Sequence, residues 1–126
     1  YEVAEKIGKL PETVFKTLVT VGHSKKYYVF VVPAGYDLDL KKGARVCGEK
    51  NLEMLPMKQL LSVTGYMHGG CSPIGLKKPF PVYIDESAER FEKIFLSAGK
   101  IGVSIGINPI TLSKCIQARF ADIKAL

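Results

Sequence analysis

Apolar positions along this chain come in short runs with two different periods. Val14-Phe15-Lys16-Thr17-Leu18-Val19-Thr20-Val21 is rich in β-branched residues and reads as a strand over Val14–Val21. Tyr27-Tyr28-Val29-Phe30-Val31-Val32 reads as a second strand, and the polar Gly22-His23-Ser24-Lys25-Lys26 between them predicts an antiparallel hairpin with a longer loop. Val82-Tyr83-Ile84, Lys93–Ser97 and Ile101–Ile107 read as further strands, the last two joined by Ala98-Gly99-Lys100. Helical signals alternate with these. A short helix is expected over Glu2–Leu10, stopping near Gly8 with Pro11 beyond it, and another over Leu38–Val46, with Gly43 opposing it. Pro56–Val63 places Met57, Leu60 and Leu61 on one helical face. Asp85, Glu86 and Ser87 offer acceptors for a helix start, with Ala88, Phe91 and Phe95 as its stripe. Asn108-Pro109 is a cap followed by an N1 proline, and Leu112, Cys115 and Ile116 would face inward. Strands and helices mix without βαβ regularity, which predicts an α+β fold.

The chain has 126 residues, enough for one domain spanning 1–126 around one core. Hydrophobic residues make up 47% and charged residues 24%, as in folded soluble proteins. No apolar run approaches membrane-spanning length. The opening Tyr1-Glu2-Val3-Ala4-Glu5-Lys6 is polar and mixed, unlike a signal peptide, although residue 1 is not Met. Cys47, Cys71 and Cys115, an odd set without a CxxC pair, argue against a disulfide framework and for a reducing, cytoplasmic setting. His68-x-x-Cys71 has too few companions to predict a metal site, and no cofactor is expected. The net charge of +6 favours an anionic partner. Its lysines cluster at Lys25-Lys26, at Lys41-Lys42 with Arg45, and at Lys77-Lys78, each of which also reads as ordinary solvated surface.

Thr64-Gly65-Tyr66-Met67-His68-Gly69-Gly70-Cys71-Ser72-Pro73-Ile74-Gly75-Leu76-Lys77-Lys78 packs four glycines and a Ser-Pro step into fifteen residues. Backbone N–H groups near Gly69, Gly70 and Cys71 can point at a ligand oxygen in such a loop, or the loop can simply connect two packed elements. Lys16 interrupts an apolar strand and shares a face with Val14 and Leu18. It is either an edge-strand lysine that snorkels or a fixed cation over a pocket. In Ile101-Gly102-Val103-Ser104-Ile105-Gly106-Ile107 one face is aliphatic and the other is Gly, Ser, Gly, bare enough for close approach by a ligand or another element. Cys71, three residues from His68, is either a nucleophile or a small buried filler. No Ser-His-Asp set, P-loop or paired-carboxylate motif is readable.

The glycine-rich stretch, together with Ala4-Glu5-Lys6-Ile7-Gly8 leading into Val14-Phe15-Lys16-Thr17-Leu18-Val19, and Ser97-Ala98-Gly99-Lys100-Ile101-Gly102-Val103-Ser104-Ile105 followed by Phe120-Ala121-Asp122-Ile123, resembles the YbaK/EbsC family. These are free-standing relatives of the prolyl-tRNA synthetase editing domain. The resemblance implies a mixed, partly barrel-like sheet with flanking helices, and a segment preceding residue 1. It implies an enzyme that hydrolyses mischarged aminoacyl-tRNA in trans, foremost Cys-tRNA(Pro), by a substrate-assisted mechanism without a protein nucleophile. Lys16 matches the family's substrate-gripping lysine. With Gly70 it forms the expected catalytic pair, while Gly69, Cys71, Ser72 and Ser104 line the substrate site. Many members carry an aspartate where this chain has Ser104, so no carboxylate role is expected there. Lys25, Lys26, Lys77 and Lys78 are the expected contacts to the tRNA acceptor end, with prolyl-tRNA synthetase as a further partner. A non-catalytic RNA-binding or regulatory module and a thiol hydrolase using Cys71 are the competing expectations.

Overall fold

β1 (Phe15–Gly22) and β2 (Tyr27–Pro33) form the expected antiparallel hairpin, with Lys16 opposite Val32 and Val21 opposite Tyr27. Lys25 takes a left-handed φ of 73° in the connecting turn and donates its N–H to the Gly22 carbonyl at 2.9 Å. The computed structural model describes residues 11–66, 70–76, 80–100 and 102–126, so the helix expected over Glu2–Leu10 lies outside the described residues.

Three short strands complete a mixed five-stranded sheet in the order β3-β1-β2-β4-β7. β3 (Leu52–Met54) runs antiparallel to β1 but pairs only with Thr20–Gly22. β4 (Val82–Asp85) runs parallel to β2, and β7 (Arg119–Ala121) parallel to β4. A second, two-stranded antiparallel sheet holds β5 (Ile94–Lys100) and β6 (Val103–Ile107), with Ile94 opposite Ile107. The α+β expectation holds, and among the described residues neither sheet closes into a barrel.

β2 is apolar on both faces because both faces are covered, which is why its sequence shows a continuous run rather than alternation. Val29 and Val31 join Phe15, Val19 and Ile84 in one core, against Leu60, Ile94, Leu96 and Leu112. Tyr28, Phe30 and Val32 face the other way into a second core with Leu38, Ala44, Leu52 and Ile123. The single-core expectation is therefore refined to two cores separated by the sheet.

Helix α1 (Leu40–Cys47) starts two residues later than expected, because Asp39 caps it. The Asp39 carboxylate accepts from the N–H groups of Lys41 at 3.0 Å and Lys42 at 3.1 Å. Gly43 weakens helix propensity but has a packing reason. A Cβ there would stand 3.0 Å from Leu52 Cδ1 and 3.3 Å from Phe30 Cζ, so glycine lets the helix lie close to the sheet. Helix α2 (Met57–Thr64) buries Leu60, whereas Met57 and Leu61 are exposed, correcting the expected three-residue face. Helix α3 (Pro109–Ile116) begins as read, with Asn108 Oδ1 accepting from Ile110 and Thr111. Leu112 is fully buried, but Cys115 is exposed rather than inward.

The segment after Asp85 is not the expected helix. It forms a 3₁₀ turn over Glu86–Arg90, and the chain turns extended at Phe91, with ψ 143°. Phe95 consequently lies in β5. Ala98-Gly99-Lys100 belong to β5 rather than to a connecting loop, with a register shift between Ser97 and Lys100 that Gly99 accommodates at φ 99°.

Candidate active site

The stretch of β1 that β3 does not reach, bordered by a parallel bridge from Val14 to Phe95 of β5, organises the candidate site. The Val14 carbonyl accepts from the Ala34 N–H at 2.8 Å, and the Gly22 N–H donates to the Lys26 carbonyl at 2.8 Å. Even-numbered positions of β1 therefore turn their backbone groups toward β2. Odd-numbered positions turn theirs the other way, as Val19 does in accepting from Leu55 at 3.0 Å. Because β3 covers only Thr20–Gly22, Phe15 and Thr17 direct their N–H and C=O groups toward an edge that β3 does not reach.

A cavity of about 340 Å³ opens beside that edge. Its walls are Phe15–Leu18 of β1, Leu60 of α2, Cys71 of the glycine-rich loop, Phe95–Ser97 of β5, and Val103 and Ser104 of β6. The lining is mainly apolar, with a few polar side chains, the pattern of a small-molecule site. Three sequence segments far apart in the chain thus meet at one place, and they are the segments singled out above.

Lys16 stands at the rim. Its Nζ lies 3.8 Å from Asp37 Oδ1, with the lysine side chain 34% and the aspartate 94% exposed. An ion pair this long and this wet holds the ammonium only weakly. The cation is therefore available to a developing negative charge.

Cys71 lies in the cavity wall and in the core, 7% exposed. Burial pushes its thiol up to about 11, with a hydrogen bond to Thr64 acting in the opposite direction. Its thiolate is scarce at neutral pH, which favours the filler reading over the nucleophile. Gly70 and Ser72 are buried beside it but do not form the cavity wall. The Ser72 hydroxyl instead accepts from the Ile74 N–H at 3.2 Å, shaping the turn after the Ser-Pro step. Gly69, Lys77, Lys78 and His68 lie outside the described residues.

Ser104 is half-buried in the wall, opposite Ser97 across the ribbon. The bare Gly-Ser-Gly face has two uses. At Gly106 it carries packing, since a Cβ there would stand 2.5 Å from Phe95 Cε1. At Gly102 and Ser104 it borders the cavity. Lys25 and Lys26 are exposed at the far end of the β1–β2 hairpin, six positions of extended chain beyond Lys16 and roughly 20 Å away at about 3.4 Å per residue.

Three contributors were not read from sequence as site residues. Tyr66 braces the glycine-rich loop by donating its hydroxyl to the Ile74 carbonyl. Its ring covers Gly99, where a Cβ would stand 2.8 Å from Tyr66 Cε1. Phe95 supplies aromatic wall. Thr17 lines the cavity with a hydroxyl that is buried and has no hydrogen-bond partner. A lone hydroxyl on the strand face shared by Phe15 and Val19 was the available signal. Among the described residues no three His, Cys, Asp or Glu side chains gather as metal ligands.

The model of the aminoacyl-tRNA editing domain matches residues 1–115. An Enterococcus faecalis protein named "Putative Cys-tRNA(Pro)/Cys-tRNA(Cys) deacylase EbsC" is 46% identical over 121 residues, covering 96% of this chain and 74% of that protein. A proline–tRNA ligase of Campylobacter fetus subsp. fetus is 27% identical over 103 residues, covering 81% of this chain and 18% of the ligase. A crystal structure of a "putative trans-editing enzyme for prolyl tRNA synthetase" superposes with a TM-score of 0.89 at 28% identity, covering 99% of this chain and 78% of that one.

Proposed function

Because the chain belongs to the aminoacyl-tRNA editing domain family, we propose that it hydrolyses the ester of mischarged tRNA in trans, with Cys-tRNA(Pro) as its foremost substrate. The observation that carries this reading is an apolar cavity with one lysine at its rim and a buried, protonated thiol in its wall. Such a site orients an ester and stabilises charge, but it offers no activated nucleophile among its described side chains.

The bound cysteine supplies what the wall lacks. Its own sulfur attacks the ester carbonyl carbon, the bond to the ribose oxygen breaks, and the thiol proton passes to that oxygen. Water then opens the resulting cyclic thioester to free cysteine. The protein contributes proximity and a cation at the developing oxyanion. Lys16 is the catalytic group, and Gly70 contributes through the backbone of the loop that carries Cys71. Cys71 and Ser104 line the amino-acid pocket, while Ser72 and Gly69 contribute through the glycine-rich loop that carries Cys71. Lys25, Lys26, Lys77 and Lys78 hold tRNA phosphates, and prolyl-tRNA synthetase supplies selectivity for tRNA(Pro). A substrate that needs a free, reduced thiol suits a reducing, cytoplasmic setting.

Removing the protein thiol tests this division of labour. Cys71→Ala is expected to keep most of the deacylation rate on Cys-tRNA(Pro), at a cost of about 1 kcal/mol in stability from the lost packing. A folded Cys71→Ala protein whose rate falls by several orders of magnitude would instead make Cys71 the nucleophile.

A further inference from the structure

Thr17 presents its side chain in a way the ester mechanism does not use. Its Oγ1 is buried and unpartnered, on a strand whose neighbours at Phe15 and Val19 are fully committed to the core. Thr20, three residues along, shows the ordinary alternative: its hydroxyl donates to the Tyr28 carbonyl at 3.1 Å. A buried hydroxyl without a partner is costly, and it is found where a ligand or water completes it.

The cavity's polar side chains divide by what they can do. Lys16 only donates, and its charge repels another cation. The Ser97 hydroxyl already accepts from the Gly99 N–H at 3.2 Å. Ser104 is half-buried. Thr17 both lacks a partner and can accept, and strand parity directs its own carbonyl toward the side of β1 that β3 does not reach. An aminoacyl ester brings a carbonyl oxygen, which suits Lys16, and an α-ammonium, which needs acceptors.

We propose that Thr17 is the substrate-positioning residue that receives the α-ammonium of the aminoacyl group, through its hydroxyl, and so makes the cavity selective for α-amino esters. This rests on the deacylase reading above, and it adds a recognition element to it.

Two non-hydrolysable probes test it apart from catalysis. These are 3′-deoxy-3′-(cysteinylamino)adenosine and the same amide lacking the α-amino group, compared by NMR titration or calorimetry. The wild-type protein is expected to prefer the amine-bearing probe roughly 10- to 100-fold, the worth of a hydrogen bond to a charged group. Thr17→Val is expected to erase that preference while keeping or raising Tm, because an unpaired buried hydroxyl is removed. Thr17→Ser is expected to restore it. Equal binding of the two probes by the wild type, an undiminished preference in Thr17→Val, or a preference lost only together with a fall in Tm that Thr17→Ser does not repair would each overturn the assignment. A wild-type protein that binds with this preference but deacylates nothing would leave Thr17 in place and remove the catalytic reading instead.

Discussion

Lys16→Ala is expected to lower kcat/KM for deacylation by about 10²- to 10³-fold, the range seen when one oxyanion donor is removed. Its Tm is expected to stay within a degree or two of wild type. The two expectations come from the same geometry. Lys16 sits at the cavity rim on the stretch of β1 that β3 does not reach, and its 3.8 Å contact with a 94% exposed Asp37 adds little to stability. Single-turnover deacylation and thermal melts on the same preparation separate the outcomes. A large fall in Tm would make the lysine structural, and an unchanged rate would remove it from the site.

The largest expected loss of stability is at Asp85, which is fully buried at the end of β4. Its Oδ1 accepts from the N–H groups of Ile123 at 3.1 Å and Lys124 at 3.0 Å. Its Oδ2 accepts from the Ser87 N–H at 3.1 Å and the Ser87 hydroxyl at 2.6 Å. The carboxylate thereby ties the C-terminal segment, with Ile123 in the second core, to the turn that carries Ala88 into the first. Asp85→Ala strands four donors and is expected to cost about 3–5 kcal/mol. Rate per folded molecule should be spared, because Asp85 is not part of the cavity wall.

Acid sensitivity follows from the same carboxylate. Burial raises its affinity for a proton, but the bonds from Ser87, Ile123 and Lys124 outweigh burial, and its pKa lies below the ordinary value. A depressed folded-state pKa means stabilisation that is fully present above the unfolded value of about 3.9 and is lost as pH falls through the folded one. Urea unfolding of wild type and Asp85→Ala should therefore converge below about pH 4 and diverge most near neutrality. A gap between them that did not shrink in acid would contradict the charge-based account.

The parts of the fold legible in sequence were those governed by local patterns. The β1–β2 hairpin followed from two β-rich runs around a polar loop. Helix α3 followed from the Asn108-Pro109 cap. The same reasoning misread the segment after Asp85, because an aspartate caps a 3₁₀ turn as readily as an α-helix. The i, i+4 spacing of Phe91 and Phe95 also fits a stripe that never forms. β3 and β7, three residues each, carry no periodicity to read. Their pairing, and the parallel contacts of β4, depend on residues far away in sequence.

The site divides along the same line. Lys16 and the glycine-rich loop stood out as local anomalies, a charge within an apolar run and a cluster of glycines. That Lys16, Cys71 and Ser104 share one cavity is a non-local fact, set by β5 and β6 packing near a β1 edge that β3 leaves uncovered. Thr17 carried only a weak signal, a lone hydroxyl on the face of Phe15 and Val19, because a threonine in a strand is ordinary until its hydroxyl is found buried without a partner.

The most direct test of the central claim is single-turnover deacylation of Cys-tRNA(Pro) by the purified protein, run beside Ala-tRNA(Pro) and Ser-tRNA(Pro). The cysteinyl ester should disappear far faster than in buffer, while the alanyl ester, which lacks the sulfur that attacks its own carbonyl, should persist much longer. Survival of all three esters at the buffer rate, with and without prolyl-tRNA synthetase, would contradict the account.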